Sequence, residues 1–265
     1  MRTLTWAVCL LALLAQAEPS RIASYSPGAT QTLLDLGASS EIVAATRWCP
    51  LPRSHPADRR CDAFTPDLEA LLQTRPTLVV LPRLANPLWA EKCRGAGLNV
   101  LMLHQEGPDS VLKDIRLLGG AVGRKDRAEE LAKALEGGGT SPSRRLLIIW
   151  DGMMAGPDSY LASPLKKAGF ASALDRGSWV KVDWETIALS RPDAVLWIEN
   201  SPLNSPVSPA PKKVAEMSEV FAVKDLKCVK RSRIYQAAAG SDWLPGSGLI
   251  NTVSALSALR SELTE

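Results

Sequence analysis

Along the chain, unbroken apolar runs of strand length alternate with segments whose apolar residues recur every three or four positions. TLVVL (77–81), LLIIW (146–150) and AVLWI (194–198) are the clearest runs, and RIASYS (21–26), EIVAAT (41–46), NVLML (99–103) and RIYQAA (233–238) are of the same kind. A continuously apolar strand is buried on both faces, which is the condition of a parallel sheet with helices above and below it. Helical spacing predicts helices near residues 30–36, 68–73, 87–94, 164–167, 185–189, 214–220 and 249–263. The fold class is therefore α/β, with two Rossmann-like lobes, each built on a partly parallel sheet.

Between the lobes the pattern is helical only. Val111, Leu112, Ile115 and Leu118 form one apolar face over 110–121, Asp126 to Glu129 reads as an N-cap with a return-bonding acid, and GGG at 137–139 ends a second helix near Leu135. This predicts a first lobe over 18–108, a single helical linker over 109–143 and a second lobe over 144–265; the resemblance given below implies a ligand cleft between the lobes. One helical crossing suits a hinge that moves little.

One stretch occurs twice. DLEALLQTRPTLVVL (67–81) and DWETIALSRPDAVLW (183–197) share an acid pair, an Arg-Pro and an apolar run in matching places. The first copy predicts a helix capped by Thr65 with Pro66 at its first position; the second predicts a cap at Asp183. In both, the residue before proline is pushed out of the helical region and the helix stops.

The first 17 residues combine a basic start, an apolar stretch from Trp6 to Leu14 and an Ala-Gln-Ala end, the pattern of a cleaved signal peptide. Export permits disulfides among Cys49, Cys61, Cys93 and Cys228. A Cys49–Cys61 bridge would brace the loop PLPRSHPADRR, whereas Cys93 and Cys228 could pair or stay buried. With two separated histidines, His55 and His104, and no C-x-x-C, a zinc site is not expected. The net charge of +3 is scattered and forms no basic stripe, which argues against nucleic acid.

Catalytic motifs do not assemble. Ser163-Pro164-Leu165-Lys166 has the S-x-x-K form without its partner motifs, and GGAVG (119–123) follows a helix and lacks dinucleotide spacing. No enzyme activity and no resident cofactor are expected. The aromatic set favours a flat guest: three Phe and three Tyr stand beside eight Trp, and indoles offer large apolar faces for stacking. Trp184 and Trp197 lie within a helix and a strand and read as core. Trp48 and Trp150 end strands, while Trp179 and Trp243 read as loop residues on the cleft side.

YSPGATQTLLDLG (25–37), IVAAT followed by a Cys/Pro loop, the two helix-strand copies, the helical linker and SDWLPGSG (241–248) together resemble the helical-backbone substrate-binding proteins of bacterial ABC importers. Among these the vitamin B12 binders look most similar. The resemblance implies a periplasmic monomer that carries a corrinoid to an ABC permease dimer with its ATPase, with haem or a ferric siderophore as alternative ligands. It implies that Glu69 and Glu185 dock one on each permease subunit. It further implies ligand contacts from Trp48, Trp179 and the loop Asp242, Trp243, Leu244, Pro245 and Gly246, and Trp150 joins them as a strand-end aromatic. Haem would need an axial ligand, for which Tyr25, His104 and Met153–Met154 are candidates; a siderophore would call on Arg47 and Arg83. Three features depart from the pattern: Ala63, Phe64 and Pro82 stand where the B12 binders carry further aromatics, the linker helix is shorter, and Gln31 stands where many family members have a glutamate in the opening motif. A less aromatic cleft is expected.

Overall fold

The structure is a computed structural model and describes residues 20–137, 144–200 and 207–263. The signal-peptide segment lies outside them. The first lobe comprises β1 (Ile22–Ser24), α1 (Pro27–Asp35), β2 (Ile42–Thr46), β3 (Asp58–Cys61), α2 (Leu68–Gln73), β4 (Leu78–Leu81), α3 (Pro87–Gly95) and β5 (Asn99–Met102). Its five strands lie in the order β3-β2-β1-β4-β5, every neighbouring pair parallel. Strand β3, DRRC, is an edge strand with no apolar run to announce it.

The linker is α4 (Ser110–Ala121) and α5 (Lys125–Leu135), packed against each other. Asp126 does not cap α5: the cap position is Arg124, without a side-chain bond. The second lobe comprises β6 (Arg144–Trp150), β7 (Met153–Ala155), α6 (Ala162–Lys167), β8 (Phe170–Ser172), β9 (Trp179–Lys181), α7 (Trp184–Ser190), β10 (Ala194–Glu199), β11 (Ser208–Pro209), α8 (Pro211–Glu219), α9 (Lys227–Lys230), β12 (Ile234–Ala238) and α10 (Leu249–Glu262). Its sheet is mixed, in the order β11-β12-β10-β6-β7-β9, with β8 beside the first half of β6.

Strand alternation sorts the core into layers. Ile22 and Val80 face inward with Leu146, Ile148, Ala194 and Leu196 of the second sheet, and one cluster of buried residues runs through α1, α4, α5, α6 and α10. The residues of opposite parity form two outer cores: Ala23, Tyr25, Val79 and Leu81 under α2 and α3, and Leu147, Ile149, Val195 and Ile234 under α7 and α8. The lobes thus share an interior instead of meeting only at a hinge.

The repeat holds in three dimensions. Asp67 Oδ1 accepts from the Glu69 and Ala70 amides at 2.9 and 3.1 Å, and Asp183 Oδ1 accepts from the Thr186 amide at 2.8 Å. Asp67, not Thr65, is the first cap, because Pro66 precedes the helix instead of opening it. Arg75 and Arg191, each followed by proline, leave their helices in the left-handed region with φ of 49° and 42°.

Candidate ligand-binding cleft

A parallel sheet presents loops at the carboxyl ends of its strands, and all five strands of the first lobe contribute to one cavity of about 460 Å³. Tyr25 to Gly28 follow β1, Thr46 to Trp48 end β2, Cys61 to Phe64 end β3, Pro82, Leu84 and Ala85 follow β4, and Gln105 follows β5. Leu244 and Pro245, beyond β12, close it from the second lobe. Trp48, Phe64 and Leu84 stand 67, 88 and 89% exposed around this cavity, an uncovered apolar rim. The Trp48 amide donates to Thr46 Oγ1 at 3.3 Å, and the Arg47 guanidinium lies 5.0 Å from the Trp48 ring centre, which orients the indole.

A second cavity of about 720 Å³ opens between the lobes and shares Pro82, Leu84, Gln105 and Pro245 with the first. Its own residues are more polar: Arg83 and Glu106, Asp158 and Ser178, with Tyr160 and Trp179. Gln105 sits where the two cavities meet. The buried Asp114 of α4 accepts from the amides of His104 and Gln105 at 2.9 and 3.0 Å, and Gln105 Nε2 donates to Ser26 Oγ at 2.9 Å.

The seam is latched by the loop before α10. Ser247 Oγ donates to Asp35 Oδ2 at 2.5 Å and the Ser247 amide to Thr32 Oγ1 at 3.0 Å, joining the second lobe to α1. A Cβ on Gly28 would strike the Pro245 carbonyl, and one on Gly246 would strike the Gly28 carbonyl, so both glycines permit the close approach.

A family model described as periplasmic binding protein matches residues 22–138. This segment belongs to the periplasmic binding protein family. Over 249 residues the chain is 22% identical to a cobalamin-binding protein of Halobacterium salinarum, covering 86% of this chain and 68% of that one. The periplasmic heme-binding protein HutB of Vibrio cholerae superposes with a TM-score of 0.70 at 19% identity, over 93% of this chain and 98% of its own. RhuT, a periplasmic heme-binding protein of Roseiflexus, gives 0.67 at 19% identity over 91% and 98%. These likenesses show a shared fold, and the family comprises solute-binding proteins, not enzymes.

Within this periplasmic binding protein fold, the expected contact residues divide. Trp48, Leu244 and Pro245 line the apolar cavity and Trp179 the polar one. Trp179 is the first residue of β9, not a loop residue. Trp150 stands beside it, with ring centres 6.5 Å apart, and Trp179 in turn meets Tyr160 at 5.7 Å. Trp243 is 5% exposed and belongs to the shared core, with its carbonyl accepting from Tyr160 Oη at 3.1 Å. Asp242 Oδ1 accepts from Asn251 Nδ2 at 3.0 Å and so ties the loop to α10, while Gly246 serves the latch. Tyr25, expected only as an axial candidate, lines the apolar cavity, and so do Leu84 and Gln105, which no motif marks; a bulky or amide residue just after a strand is the signal those two carry.

The expected Cys49–Cys61 disulfide is not formed. All four described cysteines are free thiols. Cys49 Sγ lies between Thr30 Oγ1 at 3.0 Å and Thr46 Oγ1 at 3.3 Å, and Cys61 hydrogen-bonds with Tyr25. Burial pushes the Cys61 thiol up to about 11, and burial, with nearby Cys61, also raises the Tyr25 phenol. Cys93 and Cys228 are buried in different outer cores and do not pair.

Other motifs have structural uses. Ser163 Oγ donates to the Pro108 carbonyl at 2.7 Å and binds α6 to the linker. His104 Nδ1 lies 2.7 Å from Asp114 Oδ1. Among the described residues no group of three or more His, Cys, Asp or Glu is placed to hold a metal, and no helix is long and apolar enough to cross a membrane. Trp184 and Trp197 pack against the outer core of the second lobe, as their positions in helix and strand imply.

Glu69 and Glu185 are both exposed in the first turns of α2 and α7. Helix α2 follows the carboxyl end of β3. Helix α7 follows β9, which runs in the direction of β6 because β7 is antiparallel to both. Each glutamate therefore lies at the carboxyl edge of its own sheet.

Proposed function

We propose that this periplasmic binding protein captures a corrinoid in the seam between its lobes and delivers it to an ABC permease dimer. The observation that carries the reading is the uncovered apolar rim of Trp48, Phe64 and Leu84 over a cavity floored by five strand ends. Exposed apolar surface of this size next to a pocket marks a site for a large, flat, mostly apolar guest.

The competing macrocycle is haem, and its chemistry fits less well. Haem needs an axial side chain, yet of the candidates Tyr25 is engaged with Cys61 and has its phenol raised by burial, and neither His104 nor Met153–Met154 lines either cavity; Tyr160, which does, gives its hydroxyl to the Trp243 carbonyl. A corrinoid holds its cobalt within the ring and does not depend on a protein axial ligand. An anionic siderophore would draw on Arg47 and Arg83, but Arg47 lies over Trp48 and Arg83 is 3.4 Å from Glu106. The resemblance to a cobalamin-binding protein supports the same choice.

Titration of the purified protein with cyanocobalamin and, separately, with haemin tests this reading through tryptophan fluorescence and calorimetry. One equivalent of cyanocobalamin binding below about 1 μM is expected, a free energy near −8 kcal/mol. Binding of haemin with an iron-ligand absorbance shift, and none of cyanocobalamin, would reject it. Docking through Glu69 and Glu185 belongs to the same proposal, since matching acids on two similar lobes suit a two-fold partner.

A further inference from the structure

The two joined cavities differ in charge as well as polarity. Asp62 and Arg47 accompany the apolar cavity, whereas the polar one carries Arg83 against two carboxylates, Glu106 and Asp158. Arg83 and Glu106 approach to 3.4 Å and are each 59% exposed, so that pair is close to neutral as seen by a guest. Asp158 Oδ2 accepts the Gly177 amide at 2.9 Å, which fixes the carboxylate without cancelling its charge. The polar cavity therefore carries an excess of one negative charge.

A corrin ring is rimmed by carboxamide arms, while haem and incompletely amidated corrinoids carry free carboxylates. Carboxamides both donate and accept, and so can donate hydrogen bonds to Glu106 and Asp158 and accept them from Arg83. A free carboxylate in the same place only accepts. It would lie against like charge, a repulsion that the solvent-exposed setting of these side chains weakens without removing.

Resting on the corrinoid reading, we infer that the polar cavity is an amidation filter: Glu106 and Asp158 accept the peripheral carboxamides of the guest and repel a carboxylate in their place. Arg83 sets how strongly the filter acts, because it offsets Glu106. This makes Glu106, Asp158 and Arg83 specificity residues for the finished, fully amidated ligand.

The test compares cyanocobalamin with a cyanocobalamin monocarboxylate in which one peripheral amide is hydrolysed to the acid. The unaltered protein should bind the acid about tenfold more weakly, and the gap should shrink in high salt. Glu106→Gln frees Arg83 and should bring the two affinities within about twofold, while Arg83→Met leaves Glu106 unopposed and should widen the gap, opposite shifts that simple loss of structure cannot produce. Equal binding of acid and amide by the unaltered protein would overturn the filter and leave corrinoid capture standing. Binding of neither compound would overturn both. A ratio unmoved by the two substitutions would show that the discrimination arises elsewhere, and would also reject the assignment.

Discussion

Trp48 is 67% exposed on the rim of the apolar cavity, so the proposed ligand site depends on it more than the fold does. Trp48→Ala should weaken corrinoid binding at least about tenfold with the melting temperature unchanged, measured by titration and thermal unfolding in parallel. Trp243, 5% exposed within the shared core, should behave oppositely: Trp243→Ala should cost about 3 kcal/mol of stability in denaturant unfolding. Cys61 tests the floor of the apolar cavity. Its thiol, pushed up to about 11 by burial, is thiolate far less often at pH 8 than a free cysteine, so disulfide-exchange labelling of the native protein should be about a hundredfold slower. The raised value also means that this group's contribution to stability holds below the ordinary thiol range and is lost as pH climbs towards the folded value. Trp48 was legible as a cavity-lining residue because a strand end in a parallel sheet opens onto the loops there. Trp243 was misplaced, since a tryptophan in a Pro/Gly-rich loop gives no sign that the loop folds inward onto the opposite lobe.

At the scale of elements, the apolar runs made seven strands legible, and they form the centres of both sheets and the β5 edge of the first. The polar and the shortest strands were hidden. DRRC pairs as β3 with a polar surface of its own, and the three-residue strands β7, β8 and β9 are too short to show a period. Caps were half legible: Asp183 was evident, while Asp67 was passed over for Thr65 because either could precede the same apolar face. Asp67→Ala should cost about 1 kcal/mol of stability. Hydrogen bonding from Thr186, side chain and then amide, holds the Asp183 carboxyl below the usual range. Its stabilising effect is present at neutral pH and disappears as pH falls through that lowered value, so Asp183→Ala should lower the melting temperature at pH 7 and much less in strong acid. The Cys49–Cys61 bridge failed as an expectation because loop length and compartment say nothing of where Sγ points, and both thiols found hydroxyl partners instead.

For the whole molecule, the shared core and the Ser247 latch to α1 are contacts that a large lobe closure would have to break. Gly28→Ala should force the 244–246 loop off α1, lowering both stability and ligand affinity, because that loop closes the cleft. The repeated Glu69 and Glu185 make their prediction at this scale: the double change Glu69→Ala and Glu185→Ala should keep ligand affinity and abolish uptake by vesicles carrying the permease and ATPase. Uptake at the normal rate would separate the repeat from docking. The two lobes were visible in sequence because the repeated helix-strand unit occurs once in each, whereas their common interior was not, since it is made from contacts distant along the chain. The most direct measurement is a crystal structure of the protein grown with cyanocobalamin. The account predicts the corrin ring lying along Trp48, Phe64 and Leu84 with its amide arms reaching Glu106 and Asp158; a ring bound on any other surface, with that rim bare, would contradict it.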